Sequence, residues 1–229
     1  MTSQNPGIFR DFAESQNVNF IEIDLHAGDK IPDLKDFDAL WVMGGSMNVW
    51  EEDKYPWLIE EKKAIRYAVE DLKMPFLGIC LGHQLLAVAM GGKAIDTGRY
   101  EVGLFEIEPT EEGLNHPLLK NLKDSEKWVN AHLVEVIEAP KNAIILATSE
   151  HCQNHVMQLG ENAYSCQFHP EVCSHTLDGW MKIPGVPDFF DELSANGIDD
   201  LTSSITENLD VNNRASSVLF ENWCNLVFN

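Results

Sequence analysis

The order of apolar and polar residues predicts strands and a helix in the first 80 residues. Residues 20–25 alternate apolar and acidic side chains, whereas 38–43 and 74–79 are short, mainly apolar runs. Alternation is typical of a half-buried strand, and a continuous run is typical of a strand that is covered on both faces. Residues 57–72 carry apolar side chains at helical spacing, so a helix is predicted to connect the last two strands.

After residue 94 the pattern changes to shorter strand-like stretches that are joined by turns. The predicted strands cover 102–108, 129–138, 143–149, 155–159 and 163–168. This spacing favours an antiparallel section, and the alternation of strands and helices before it favours a parallel sheet. We therefore predict an α/β fold that has a mostly parallel sheet, helices on both faces and an added antiparallel section.

Both ends of the chain are predicted to contain a helix. Residues 8–15 form a short helix in this interpretation, and 214–227 form the last one, after loops around 184–187. We find no linker, repeat or low-complexity segment in the 229 residues. The prediction is a single domain over 1–229, in which 174–229 form a C-terminal extension that packs on the rest.

Composition and charge narrow the functional classes. The 37 acidic and 16 basic residues give a formal net charge of −21, which disfavours binding to nucleic acid or to anionic membranes. We find no apolar run long enough for a membrane span, and the polar start does not resemble a signal peptide. Five scattered cysteines argue against a disulfide framework or a zinc site. A cytoplasmic, reduced protein without a cofactor or metal is expected.

The most informative motif is Gly78-Ile79-Cys80-Leu81-Gly82, which follows an apolar run and precedes a stretch of helical composition. A strand, a sharp turn and a helix would place Cys80 at the turn, as in a nucleophile elbow with cysteine in place of serine. The glycines let the strand and the helix approach closely. The sulfur would lie near a helix N-terminus, where the dipole favours a thiolate. The alternative is a buried structural cysteine.

A second motif is Gln167-Phe168-His169-Pro170-Glu171. His169 follows a strand-like stretch, and Pro170 ends a strand because it offers no ladder donor. The two-residue step would let the carboxylate of Glu171 turn back and hold the imidazole. A thiol, an imidazole and an orienting carboxylate are the groups that nucleophilic acyl transfer requires.

A third motif is the glycine pair after the strand at 38–43. Two glycines at a strand end allow backbone N–H groups to converge on a point, which suits an oxyanion hole with Gly45 and Leu81 as donors. Gly44 and Ser46 of the same loop are predicted to contact the substrate. His132 is a further candidate for the pocket, with a solvated side chain at a strand end as the alternative.

Together the three motifs resemble those of the class I glutamine amidotransferases, roughly over residues 20–173. The resemblance implies a flavodoxin-like arrangement of the sheet and attack by Cys80 on the γ-carboxamide carbon of glutamine or a γ-glutamyl group. His169 would then act as general base and acid, and Glu171 would orient it. Gln84 matches the position that helps to hold glutamine in the family. Residues 47–58 are similar to a stand-alone branch that is often called GMP synthase-like.

The sequence departs from the family pattern in two places. The family usually opens with an apolar strand, whereas residues 1–7 are polar. Many relatives carry a His-Gly-Asp run in the region where this chain has His132-Leu133-Val134. Contacts that the run makes in relatives therefore cannot be carried over to this chain, and the substrate preference is left open.

Three functions stay open from the sequence. The preferred one is hydrolysis of a γ-glutamyl amide through a γ-glutamyl thioester, which releases glutamate and ammonia or an amine. The second is a glutaminase subunit that supplies ammonia to a separate synthetase. The third is a non-catalytic module that binds a γ-glutamyl metabolite or a partner, which the complete set of Cys80, His169 and Glu171 disfavours. Expected partners are a small γ-glutamyl substrate, with a synthetase and a homo-oligomer left open.

Overall fold

The structure is a computed structural model that describes residues 6–123, 126–183, 185–193 and 197–228. Within these residues seven strands form one sheet in the order β1-β2-β7-β6-β5-β3-β4. The strands are β1 Leu40–Val42, β2 Phe76–Ile79, β3 Lys93–Pro109, β4 Glu126–Glu138, β5 Ala143–Thr148, β6 Val156–Leu159 and β7 Ala163–Cys166. The α-helices are α1 Phe9–Ser15, α2 Trp57–Arg66, α3 Leu81–Ala89, α4 Glu111–Leu114, α5 Ser174–Trp180, α6 Val186–Leu193 and α7 Ile198–Phe228.

The sheet has a parallel part and an antiparallel part. β2 pairs in parallel with β1 on one side and with β7 on the other. The pairings from β7 through β6, β5 and β3 to β4 are antiparallel. The predicted α/β fold with an added antiparallel section is therefore confirmed, and the parallel part is the smaller of the two.

Helices cover both faces of the parallel strands, as predicted. On β2, Phe76 belongs to the apolar cluster that contains residues of α2 and α3, whereas Leu77 and Ile79 belong to the cluster that contains residues of α1 and α7. Because successive side chains of a strand point to opposite faces, this strand is apolar on both sides. Burial on both faces explains why 74–79 is a continuous apolar run.

Residues 20–25 do not form a strand, which makes that prediction wrong. Phe20 stacks on Trp41 with ring centroids 6.1 Å apart, but Ile21 is 68% exposed. Residues 19–23 make no backbone–backbone hydrogen bond within the described part of the chain. Side-chain packing of Phe20 takes the place of a ladder, and two apolar residues of the alternation, Ile21 and Ile23, are exposed.

Helix α7 spans 31 residues, far more than the predicted 214–227. Its first half is rich in Ser, Thr and Asn, which are weak helix formers, and the pattern therefore predicted no helix there. Leu201, Ile205 and Leu209 recur at helical spacing and are buried in one cluster with Val129 of β4. Tertiary packing of this stripe overrides the local propensity.

Helix α3 lies so close to β1 that only glycine fits at residue 82. A Cβ there would come within 2.0 Å of the Val42 carbonyl oxygen. Alanine is otherwise the better helix former by about 1 kcal/mol. We nevertheless expect Gly82→Ala to lower the free energy of unfolding by about 3 kcal/mol, because the backbone of α3 or of β1 must move to make room for the methyl group. Urea denaturation measures the change, and a variant as stable as the wild type would contradict the close approach.

Candidate active site

Cys80 occupies the sharp turn between β2 and α3, as the sequence predicts. Its backbone has φ +51° and ψ −104°, a conformation that L-residues rarely adopt. Such strain costs about 1–3 kcal/mol and persists where the surrounding structure holds it. The Cys80 N–H donates to the Cys166 carbonyl at 2.9 Å, which fixes the turn to β7. The thiol therefore lies at the carboxyl end of a parallel strand and before the first turn of a helix.

His169 is held from two sides beside Cys80. Its Nδ1 lies 2.7 Å from Oε1 of Glu171, and its backbone N–H donates to the Val129 carbonyl at 2.8 Å. Both side chains of this pair are buried. Burial alone would lower the pKa of His169, but the charges of Glu171 and Cys80 raise it to about 10. The imidazole therefore favours its protonated form next to the sulfur.

The glycine loop after β1 passes next to this pair. A Cβ on Gly44 would lie 3.0 Å from Cε1 of His169 and 3.5 Å from Cβ of Cys80. Nε2 of Gln167, from the same motif as His169, donates to the Cys80 sulfur at 3.7 Å. The three sequence motifs thus meet at one point of the fold.

A cavity of about 390 Å³ opens over this point. The lining includes all the sequence-predicted site residues except Leu81: Gly44, Gly45, Ser46, Cys80, Gln84, His132, His169 and Glu171. Leu81 is the first residue of α3, where backbone N–H groups have no acceptor within the helix.

Gln84 and His132 are both buried but hydrogen-bonded in different ways. The amide nitrogen of Gln84 donates to the Val134 carbonyl at 3.0 Å and to Oε1 of Gln167 at 3.2 Å. These bonds use both of its N–H donors, so its oxygen is the atom left to accept a bond. Nε2 of His132 lies 3.0 Å from Oε2 of Glu101, so its ring is not a solvated side chain at a strand end.

Glu101 and His155 join His132 in a buried cluster that the sequence reasoning missed. Oε2 of Glu101 lies 2.9 Å from Nε2 of His155, and Oε1 accepts a bond from Ser149. Burial alone would raise the pKa of Glu101, but the bonds from His132, His155 and Ser149 hold it well below its usual range. The residues are far apart in sequence, and no local spacing links them.

Among the residues that the structure describes, the same three side chains form the group whose ligand types would suit a divalent cation. One ligand atom from each of Glu101, His132 and His155 lies within 4.8 Å of the others. These atoms already satisfy one another as hydrogen bonds, which accounts for the cluster without an ion.

His83 follows the elbow and is completely buried, with Nδ1 2.9 Å from Oγ of Ser165. Burial, together with the nearby His155, lowers the pKa of His83 to about 3. The folded protein therefore keeps His83 neutral where the unfolded chain takes up a proton, below about pH 6.5. The fold loses stability as the pH falls through this window.

We expect this group to give a measurable pH slope. From about pH 6 down to pH 4, His83 should remove about 1.4 kcal/mol of unfolding free energy per pH unit. In His83→Gln the slope should be smaller by that amount, whatever the variant's absolute stability. Urea denaturation at several pH values gives both slopes, and parallel profiles for the two proteins would contradict the expectation.

The C-terminal extension also contributes to the site. Trp180 of α5 and Phe190 of α6 line the cavity, although no sequence pattern indicated that the C-terminal extension reaches it.

Among the helices that the structure describes, none combines the length and the apolar character of a membrane-spanning segment.

Comparisons with known proteins agree with the geometry. One subunit of a glutamine-hydrolysing GMP synthase from Sulfolobus acidocaldarius is 36% identical over 153 residues, which are 65% of this chain and 74% of the relative. A glutamine amidotransferase-like protein from Salmonella typhimurium, YfeJ, is 31% identical over 183 residues, 78% of this chain and 76% of the relative.

Solved structures of glutamine amidotransferases also resemble this chain. A glutamine amidotransferase from Thermotoga maritima superposes with a TM-score of 0.83 at 26% identity and covers 97% of this chain and 94% of its own. A glutamine amidotransferase from Methylobacillus flagellatus gives 0.84 at 26% identity, with 99% and 92% covered. The profile of the family described as "Glutamine amidotransferase class-I" matches residues 4–181. With most of its length matched in this way, the chain belongs to the class I glutamine amidotransferase family.

Proposed function

We propose that the protein hydrolyses a γ-glutamyl amide bond through a thioester on Cys80. The observation that carries the proposal is the buried pair of His169 and Glu171, 2.7 Å apart, beside a cysteine at a strained strand–helix turn. A thiol that is inert or structural needs neither a base nor a carboxylate that orients the base. Glutamine-hydrolysing relatives support the same class of reaction.

The reaction follows from these positions in two halves. His169 takes the proton of the Cys80 thiol and the thiolate attacks the amide carbon. The oxyanion accepts bonds from the N–H groups of Gly45 and Leu81, worth about 3–4 kcal/mol per donor. His169 gives its proton to the amide nitrogen, the C–N bond breaks and the amine leaves. Water then attacks the thioester with His169 as base, which releases glutamate and restores the thiol.

The remaining sequence-predicted residues are proposed to hold the glutamyl part. Gly44 and Ser46 border the cavity on the loop after β1, and Gln84 lines it from α3. His132 lines it from β4, and the bond to Glu101 fixes the ring. Glu171 acts on the substrate only through His169, whose ring it orients.

A glutaminase subunit that supplies ammonia to a separate synthetase is the second candidate. The names of several relatives favour it, because they describe one subunit of a glutamine-hydrolysing GMP synthase rather than the whole enzyme. The chemistry on Cys80 would be the same, and the fate of the released nitrogen would differ.

Release of product from glutamine and from γ-glutamyl methylamide tests the proposal. We expect glutamate from at least one of them, and a γ-glutamyl group on the Cys80 peptide after acid quenching and mass spectrometry. Turnover of glutamine only after the synthetase component of a GMP synthase is added would support the second candidate. Absence of Cys80-dependent turnover in all mixtures would overturn both.

A further inference from the structure

The C-terminal extension builds one wall of the cavity, next to the proposed proton donor. The rings of Trp180 and His169 lie 4.9 Å apart at an interplanar angle of 75°. Phe190 follows, with its ring centroid 6.0 Å from that of Trp180. Ile183 and Val186, between these two aromatic residues in sequence, also line the cavity. We call Trp180, Ile183, Val186 and Phe190 the apolar wall.

The position of the wall decides which part of a substrate meets it. General acid catalysis requires the donor to lie within hydrogen-bond reach of the leaving nitrogen. If His169 is that donor, the amine departs on the His169 side of the sulfur, where Trp180 lies. The glutamyl part is then left to the rest of the cavity, where Gln84 is proposed to hold it. The apolar wall therefore faces the amine and not the amino acid.

The apolar wall disfavours a charged group at the end of the amine. The described lining residues include no Lys, Arg or Asp, and the only carboxylate is that of Glu171. One of its oxygens is bonded to His169, and the other is buried beside that ring without a hydrogen-bond partner among the described residues. The four side chains of the apolar wall carry no charge, so a charged end group on the amine would lose its water against them, which is costly.

The wall is a fixed part of the fold. Trp180, Ile183 and Phe190 are buried in a cluster with Leu201, Ile205 and Leu209 of α7. Pocket surfaces that are packed from behind in this way bind apolar groups without first having to order themselves. The cavity volume, about 390 Å³, lies within the ~300–1,000 Å³ range of pockets that bury organic ligands.

We propose that the preferred substrates are γ-glutamyl amides whose leaving amine carries an uncharged alkyl or aryl group. This inference rests on the proposed function and names its substrate class. The C–N bond of the amide breaks, the apolar amine leaves with the His169 proton, and water takes its place on the carbonyl carbon. Ammonia, the leaving group of glutamine, would leave the apolar wall without a contact.

A series of γ-glutamyl alkylamides tests the proposal on the wild-type protein. γ-Glutamyl pentylamide is compared with the methylamide, which lacks the chain, and with the 5-aminopentylamide, which adds an ammonium group at its end. We expect kcat/KM for the pentylamide to exceed both by roughly tenfold to a hundredfold, as for added methylenes in apolar pockets. Equal values, or a preference for the 5-aminopentylamide, would overturn the inference.

The outcome separates this inference from the proposed function. Cys80-dependent turnover of glutamine or the methylamide without preference for the pentylamide overturns the substrate class alone. No Cys80-dependent turnover of any member of the series overturns both. Preference for glutamine over the whole series would overturn the substrate class and favour the ammonia-supplying role instead.

A charge placed in the wall should invert the preference. Val186→Asp puts a carboxylate on the half-buried first residue of α6, and the 5-aminopentylamide should then become the better substrate of the pair. Asp188→Asn changes a charge at an exposed position of the same helix and should keep the wild-type ratio. If Val186→Asp does not fold, the comparison of γ-glutamyl alkylamides on the wild-type protein decides whether the inference holds. An unchanged ratio in folded Val186→Asp would overturn the placement of the amine.

Discussion

Cys80→Ala is expected to lower kcat/KM for every γ-glutamyl amide by about 10⁴-fold or more, because the variant has no atom that can form the thioester. The proposed oxyanion donors Gly45 and Leu81 and the pair of His169 and Glu171 remain in place, so substrate binding should be little changed. Alanine differs from cysteine by one sulfur, and the turn keeps its backbone. Steady-state release of glutamate measures the loss, and urea denaturation confirms that the fold is retained.

Cys224→Ala is the matched control for this substitution. Cys224 lies partly buried on α7, outside the cavity, and burial and the charge of Glu221 raise the pKa of its thiol to about 11. Its removal should leave kcat/KM near the wild-type value. Full activity in Cys80→Ala, or an equal loss in both variants, would show that the reaction does not proceed through Cys80.

Glu171→Gln is expected to cause the second largest loss, about 10³–10⁴-fold in kcat/KM. The amide keeps the shape of the side chain but removes the charge that is proposed to orient His169 and that stabilises its protonated form. Because the Glu171 charge contributes to raising the pKa of His169 to about 10, its removal should lower that pKa. His169 then loses its proton at lower pH, so the alkaline limb of the pH–rate profile should shift to lower pH.

The pH profile distinguishes orientation of the base from a general structural role. Wild type and variant are compared on the same substrate, so titration of the substrate cancels. A Glu171→Gln protein that is slower but has an unshifted alkaline limb would show that the carboxylate does not act through His169. A variant with wild-type kcat/KM would remove Glu171 from the mechanism.

The motifs were readable from sequence because each one is local. The turn at Cys80 and the step from His169 to Glu171 depend on neighbours within a few residues, and the predicted strand–turn–helix is present. The cluster of Glu101, His132 and His155 combines residues of β3 and β4 with the residue that precedes β6, and β5 lies between β6 and β3 in the sheet. Only the register of the antiparallel section brings these residues together, and no spacing along the chain encodes it.

Two other differences have equally specific causes. Residues 20–25 have the alternation of a strand, but a strand also needs a ladder, and alternation does not show whether a neighbour is available. The predicted loop around 184–187 contains the start of α6, where Pro187 lies in the first turn of the helix and is tolerated there. The apolar wall was missed because the glycine and prolines at 184–187, in the middle of its sequence, indicated a loop.

The match to the family profile ends at residue 181, and three of the four residues of the apolar wall lie after it. The proposed machinery for breaking the bond and the surface proposed to select the amine are therefore encoded in consecutive, separable stretches of one chain. A graft of residues 182–193 from a relative would exchange every residue of the apolar wall except Trp180 and leave Cys80, His169 and Glu171 untouched. Divergence within such a lineage needs new sequence only in a short segment, and the same segment is the natural target for retuning the enzyme towards a chosen amine.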